Sequence, residues 1–305
     1  MNYCVTFTHR PIKLNKTMIN RREFLKTSAL FSAGVLVAPK LFAYDKKYIG
    51  LQLYTVRDAM GKDVAGTLAK VAELGYTSVE ASYGDGKYYG VEPKAFAELL
   101  KKNNLIMPSA HYLLGEAMKG KGTILDGWEK AAEDAASVGQ KYMVCAWLAP
   151  SERGGLDHYK KLAEDFNKAG ETCKKAGVQF CYHNHDFEFI QENGKYPYEI
   201  LLDNTDKNLV KMEIDLYWLT KANQDPIALI DKHPGRFPLW HVKDMDRTEK
   251  KMFTEVGNGV IDFKKIFTKA NTAGLKYFFV EQDVCPGNPF DSITQSIGYI
   301  KKNLV

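Results

Sequence analysis

Glycine punctuates this chain at Gly75, Gly139, Gly177 and Gly274, each time between apolar residues at helical spacing and a following run of apolar and aromatic residues. A glycine that ends a helix shortly before a buried strand marks the joint of an α-to-β connection. Its recurrence predicts one structural unit repeated along the chain. Strands are expected at 48–54, 78–81, 105–110, 142–147, the first half of 178–188, 210–216, 237–242 and 277–280. Helices are expected at 64–74, 93–102, 124–138, 156–176, 198–202, 226–231, 262–273 and 289–304. Eight such pairs in about 260 residues fit a closed (β/α)8 TIM barrel in a single domain. No glycine-rich dinucleotide loop follows the first strand, which disfavours an open doubly wound sheet.

The 305 residues are 45% hydrophobic and 26% charged, an ordinary globular composition. The net charge of +5 comes from the first 43 residues, which hold seven Lys and Arg but one acid, Glu23. The remainder, with 35 basic and 36 acidic residues, carries no electrostatic footprint for nucleic acid. Asn20-Arg21-Arg22-Glu23-Phe24-Leu25-Lys26, the apolar run 29–37 and Leu41-Phe42-Ala43 supply the parts of an export signal and resemble the bacterial twin-arginine type. Residues 1–43 are therefore expected to be a signal, with Met18 a candidate true start, and 44–305 the barrel. A periplasmic location is expected, with no stable membrane insertion once the signal is removed. Cys145 and Cys181 fall in expected strands and read as small core residues.

Functional groups of such barrels project from the C-terminal ends of the strands. Glu80, His111, His183 with His185, Asp215, His241 with Lys243 and Asp244, and Glu281 with Asp283 all fall there. Asp215, His241 and Glu281 end three consecutive strands, so their tips should surround one volume, and His183 from the strand before completes a ring of four. This nitrogen and carboxylate set suits one divalent ion, Mn, Mg, Zn or Fe(II), with open positions for substrate oxygens. Tyr54, Trp147 and Trp218 offer ring faces to a sugar. Glu80, His111 and Asp244 are candidate substrate contacts beside them.

Four motifs, Ile214-Asp215-Leu216-Tyr217-Trp218, His241-Val242-Lys243-Asp244, Val256-Gly257-Asn258-Gly259-Val260-Ile261-Asp262-Phe263 and Val280-Glu281-Gln282-Asp283, resemble those of the xylose isomerase-like barrels, the sugar phosphate isomerases and epimerases. Residues 50–57 and 182–189 resemble an exported bacterial branch, and the resemblance extends over 48–303. It implies one divalent metal held at the ends of strands five to eight, which carries over onto Asp215, His241 and Glu281. Where many relatives have Glu-Asn-His, this chain has His183-Asn184-His185, so His183 takes the first ligand position. Epimerases of this family use their two ligand glutamates as the proton-transferring pair, and Glu281 alone is present here. His185, Glu188 and Lys243 are the candidate groups for the missing base. The expected function is a metal-dependent sugar isomerase or epimerase acting next to a polarised carbonyl. A lyase or hydratase cleaving 3-keto-glycosides by elimination is the alternative, and a non-catalytic sugar-binding barrel is a third reading. The expected partner is a small-molecule sugar, with homo-oligomerisation left open.

Overall fold

The computed structural model describes Met1, Asp45 and residues 48–305, so the expected signal lies, apart from Met1, outside the described residues. The strands and helices of the described residues belong to the unit Phe42–Val305. Eight strands among the described residues lie side by side in chain order: β1 (Gly50–Gln52), β2 (Ser78–Gly84), β3 (Ile106–Tyr112), β4 (Tyr142–Cys145), β5 (Gln179–His183), β6 (Val210–Asp215), β7 (Leu239–Val242) and β8 (Tyr277–Val280). All neighbours are parallel, and β1 closes the ring by pairing with β8 (Gly50 opposite Phe279) and with β2 (Gly50 opposite Ser78). The fold is the expected (β/α)8 barrel.

Parallel strands need crossover helices. These are α1 (Val64–Glu73), α2 (Pro93–Lys102), α3 (Trp128–Ser137), α4 (Leu156–Lys175), α5 (Pro197–Asn204), α6 (Pro226–Lys232), α7 (Phe263–Phe267) and α8 (Pro289–Asn303). Four of them start on proline, whose fixed φ and missing N–H suit a first helical turn. The four punctuating glycines have φ between +78° and +95°, the left-handed conformation that ends a helix at no steric cost.

Several expected elements are shorter than their patterns: the helix expected at 124–138 begins only at Trp128, and the strands expected at 142–147 and 237–242 are Tyr142–Cys145 and Leu239–Val242. The helix expected at 262–273 breaks after Phe267 and resumes at Ala270–Ala273. At the break the Thr268 hydroxyl donates to the Lys265 carbonyl (2.6 Å), offering that acceptor a side-chain partner in place of the next helical turn. The first strand stops at Gln52, whose Oε1 accepts the Tyr54 N–H and turns the chain into a 3-10 helix, Leu53–Val56.

Alternation sets the two faces of every barrel strand. In β6, Val210, Met212 and Ile214 join the core shared with the helices, which turns Lys211, Glu213 and Asp215 toward the barrel axis. Val144, Cys181, Leu239 and Phe279 form a separate apolar cluster, two residues before Ala146, His183, His241 and Glu281 in their strands. The polar site therefore stands on an apolar plug. Gly50 makes room for it, because a Cβ there would lie 2.4 Å from the Phe279 ring. Cys145, Cys173 and Cys181 are buried and free.

Helix α4 shows how closely the outer layer packs. Alanine at 170 would gain up to about 1 kcal/mol of helix propensity over glycine. Its Cβ, however, would lie 2.6 Å from the Leu209 carbonyl oxygen on the approach to β6, and overpacking of this kind costs about 1–3 kcal/mol. Gly170→Ala is expected to lower stability in urea unfolding. A neutral or stabilised variant would show that α4 moves off this contact freely.

Candidate functional site

Two layers of ionisable groups fill the C-terminal half of the barrel. The deeper layer centres on Glu80 of β2 and Glu213 of β6, both fully buried. Glu80 accepts from Ser109 Oγ (2.5 Å) and Gln52 Nε2 (2.8 Å), and its Oε2 lies 2.6 Å from His241 Nε2 and 3.0 Å from His111 Nε2. Glu213 Oε2 meets His183 Nδ1 (2.9 Å), His111 Nε2 (3.0 Å) and His241 Nε2 (3.2 Å). Burial and the neighbouring Glu80 push the Glu213 pKa up, but the three imidazoles outweigh them and hold it near 2. Burial alone would neutralise His241, yet Glu213 and Glu281 raise its pKa well above the usual value.

The upper layer is Asp215, His241, Glu281 and Lys243. His241 Nδ1 lies 2.6 Å from Glu281 Oε2, and His183 Nε2 lies 3.5 Å from Asp215 Oδ2. The Lys243 ammonium contacts Glu281 Oε2 (2.7 Å), Asp215 Oδ2 (3.0 Å) and Asp283 Oδ1 (3.1 Å). Burial opposes its charge, but these three carboxylates keep it protonated, with a pKa well above normal. Asp283 shows the reverse balance: burial lifts its pKa to about 6 despite Lys243.

These residues fit a divalent ion. One ligand atom each from Asp215, His241 and Glu281 lies within 4.8 Å of the others, and His183 Nε2 faces the same Asp215 oxygen. Among the described residues that oxygen, Oδ2, is buried without a well-directed hydrogen bond and faces the Lys243 ammonium (3.0 Å), His183 Nε2 (3.5 Å) and His241 Nδ1 (4.0 Å). Two carboxylates already sharing one cation, flanked by two imidazole nitrogens, are a donor set for Zn, Mn or Fe(II).

Above this layer opens a cavity of about 460 Å³. Its walls are aromatic, with Tyr54, Tyr83, Tyr112 and Trp147, and its floor is polar, with His111, His185, Lys243, Glu281 and Asp283. His185 is held edge-on to His183 and nearly parallel to Phe187. Among the described residues its buried Nδ1 has no hydrogen-bond partner. Burial, and then the nearby Lys243, hold its pKa well below normal, so the ring is a neutral imidazole.

Residues 68–303 match the model of the xylose isomerase-like TIM barrel family. The chain belongs to this family. Among relatives, the inosose dehydratase of Geobacillus thermodenitrificans (strain NG80-2) is 28% identical over 267 residues, spanning 77% of this chain and 88% of that protein. A solved sugar phosphate isomerase/epimerase from Parabacteroides distasonis ATCC 8503 is 29% identical with a TM-score of 0.73, over 85% of this chain and 95% of its own. The IOLI protein, solved with a zinc atom, shares the fold at 14% identity and a TM-score of 0.65, over 84% of this chain and 99% of its own.

The structure brings His183, Asp215, His241, Glu281, Lys243, His185, His111, Tyr54 and Trp147 together around the cavity and its floor. Trp218 packs on the His185 ring, centroids 5.2 Å apart, and is not a cavity wall. Three expected residues sit elsewhere. Glu80 lies below the ligand layer, bound to Ser109, Gln52 and His241, where a substrate does not reach it. Asp244 spends both oxygens on backbone: Oδ2 accepts Gly257 and Gly259 N–H, and Oδ1 accepts Met245 and Ile261 N–H. It holds the 257–261 loop, and Gly259 approaches so closely that a Cβ would fall 2.2 Å from Oδ1. Glu188 is sealed behind β5, accepting from the Tyr182 hydroxyl (2.6 Å) and the His185 N–H (2.9 Å). Glu213 is the residue that a search of strand ends passes over, because it lies one alternation step below Asp215.

Glu188 generates a pH prediction. Burial raises its pKa from 4.5 to about 7, against the lowering effect of Tyr182. Between these values the folded chain keeps a proton that the unfolded chain has released, so stability falls as pH rises through that window. Glu188→Gln can return both hydrogen bonds without charge. Relative to wild type it should gain about 3 kcal/mol between pH 4.5 and pH 8, read by urea unfolding across the range. Parallel curves for the two proteins would show that Glu188 is ionised throughout.

Proposed function

We propose that the protein is a divalent-metal-dependent carbon–oxygen lyase acting on a keto-sugar or keto-polyol. The observation that carries this reading is the pairing on the cavity floor of a neutral imidazole, His185, with a buried ammonium, Lys243. A divalent ion held by His183, Asp215, His241 and Glu281 would polarise a substrate carbonyl as a Lewis acid. The His185 ring, which lines the cavity as a neutral imidazole, takes the proton from the carbon next to that carbonyl. As that C–H bond breaks, a carbon–carbon double bond forms and the oxygen substituent one carbon further departs, taking a proton from Lys243 Nζ. Water or an alcohol is released, and solvent exchange resets both groups. The aromatic walls suit the faces of a pyranose or inositol-like ring, and the name of the dehydratase relative supports an inosose or similar ketone as substrate.

Sugar isomerisation or epimerisation is the second reading. It is favoured by Glu281, which both lines the cavity and contacts Lys243, and by the name of the Parabacteroides relative. Against it stands the β5 side of the cavity, where Glu188 faces away and an imidazole replaces the second carboxylate. The twin-arginine-like residues 20–26 support placing the activity in the periplasm.

Incubation with inososes, free ketoses and 3-keto-glycosides in deuterated water decides between the readings. Loss of water or release of an aglycone is expected; deuterium gained at carbon in an otherwise intact skeleton would move the assignment to epimerisation. His185→Ala should lower kcat by about 10²–10⁴-fold with bound metal unchanged. A variant with near-normal kcat would remove His185 from the chemistry.

A further inference from the structure

His183 and His241 each present both ring nitrogens to carboxylates, one above and one below. Below, His183 Nδ1 meets Glu213 at 2.9 Å and His241 Nε2 meets Glu80 at 2.6 Å. Above, His183 Nε2 faces Asp215 at 3.5 Å and His241 Nδ1 faces Glu281 at 2.6 Å. An ionised carboxylate only accepts, so each lower contact fixes a proton on the lower nitrogen. The opposite nitrogen of each ring is thereby committed to the upper layer.

The lower carboxylates are themselves fixed. Glu80 takes hydrogen bonds from Ser109 Oγ and Gln52 Nε2. The Gln52 amide cannot flip, because its oxygen accepts the Tyr54 N–H at 3.1 Å. His111 Nε2 lies 3.0 Å from Glu80 Oε2 and 3.0 Å from Glu213 Oε2, and two ionised carboxylates keep a proton on it.

Resting on the metal site proposed above, we infer that Glu213 and Glu80 are positioning residues: they keep a proton on the lower nitrogen of His183 and of His241, so that the upper nitrogen of each is the one that would face an ion at the Asp215–Glu281 pair, His241 Nδ1 by releasing its proton. The lower layer also groups His111, His183, Glu213 and His241 within 4.8 Å, the spacing of a second metal site. The proton held on His111 Nε2 between Glu80 and Glu213 argues for hydrogen bonds there, and hence for one ion per chain.

Titration of the metal-free full-length protein with Co(II), followed by calorimetry and by visible absorption, tests this. Wild type is expected to take one equivalent. Glu213→Gln and Glu80→Gln should each bind about 10–100-fold more weakly, with a shifted absorption band, while Glu213→Asp recovers part of the affinity and the wild-type band. Should one Gln variant fail to fold by circular dichroism, the other and Glu213→Asp carry the test. Unchanged affinity and band in the folded Gln variants would overturn the inference and leave the metal site standing. Two equivalents in wild type would also overturn it, making the lower carboxylates ligands. Wild type binding no Co(II), with Asp215→Asn indistinguishable from it, would instead remove the metal site and the proposed function with it.

Discussion

Buried charge must be compensated where it lies, and this governs the upper half of the barrel. Glu80, Glu213, Asp215, His241 and Lys243 are at most 2% exposed and Glu281 is 5% exposed, in a setting where an unpaired ion costs several kcal/mol. Each therefore has an opposite partner within 3.2 Å, and the partners come from different strands. The network thus depends on the closed ring: β2 supplies Glu80 to the histidine of β7, and β6 supplies Glu213 to the histidines of β3, β5 and β7. With His183 held neutral by burial and then by His241, four carboxylates on the axis face three cations, His111, His241 and Lys243. An ion at Asp215 and Glu281 that took the His241 Nδ1 lone pair would displace that proton and leave two cations against the four carboxylates, so a charge of two rather than one would restore the balance.

The architecture was legible because it rests on repetition. Glycines at the ends of four helical segments and prolines in the first turns of the four others punctuate the repeated unit, and both act through backbone geometry that no distant residue overrides. The convergence of Asp215, His241 and Glu281 followed from the same logic, since a closed barrel has one place where strand ends converge. What the sequence did not yield were directions. Lys243 and Asp244 are adjacent, so alternation sends one inward to Glu281 and the other outward to the 257–261 loop. The same rule applied to β6 puts Glu213 beside Asp215 on the axis. Both could have been read from period two alone. Glu188 could not: it follows the strand, and only the turn Phe187–Phe189 sends its carboxylate back to Tyr182.

His183 changes the chemistry of the site through charge more than through shape. A glutamate there would add a negative group against Glu213 and Asp215, raising its own pKa and theirs. A neutral imidazole adds a donor nitrogen without that repulsion, and its other nitrogen finds a carboxylate already in place. The cost is a lost base on the β5 side of the cavity. His185, two residues on and on the same face, stands where that base is missing. Lys243 lowers the pKa of His185 further, after burial has already done so, while Lys243 itself is kept charged by Asp215, Asp283 and Glu281. Two neighbouring groups with pKa values driven apart by one shared field are a base and an acid at the same pH. That asymmetry, absent from a pair of matched glutamates, points toward removing a proton at one carbon and delivering one to an oxygen.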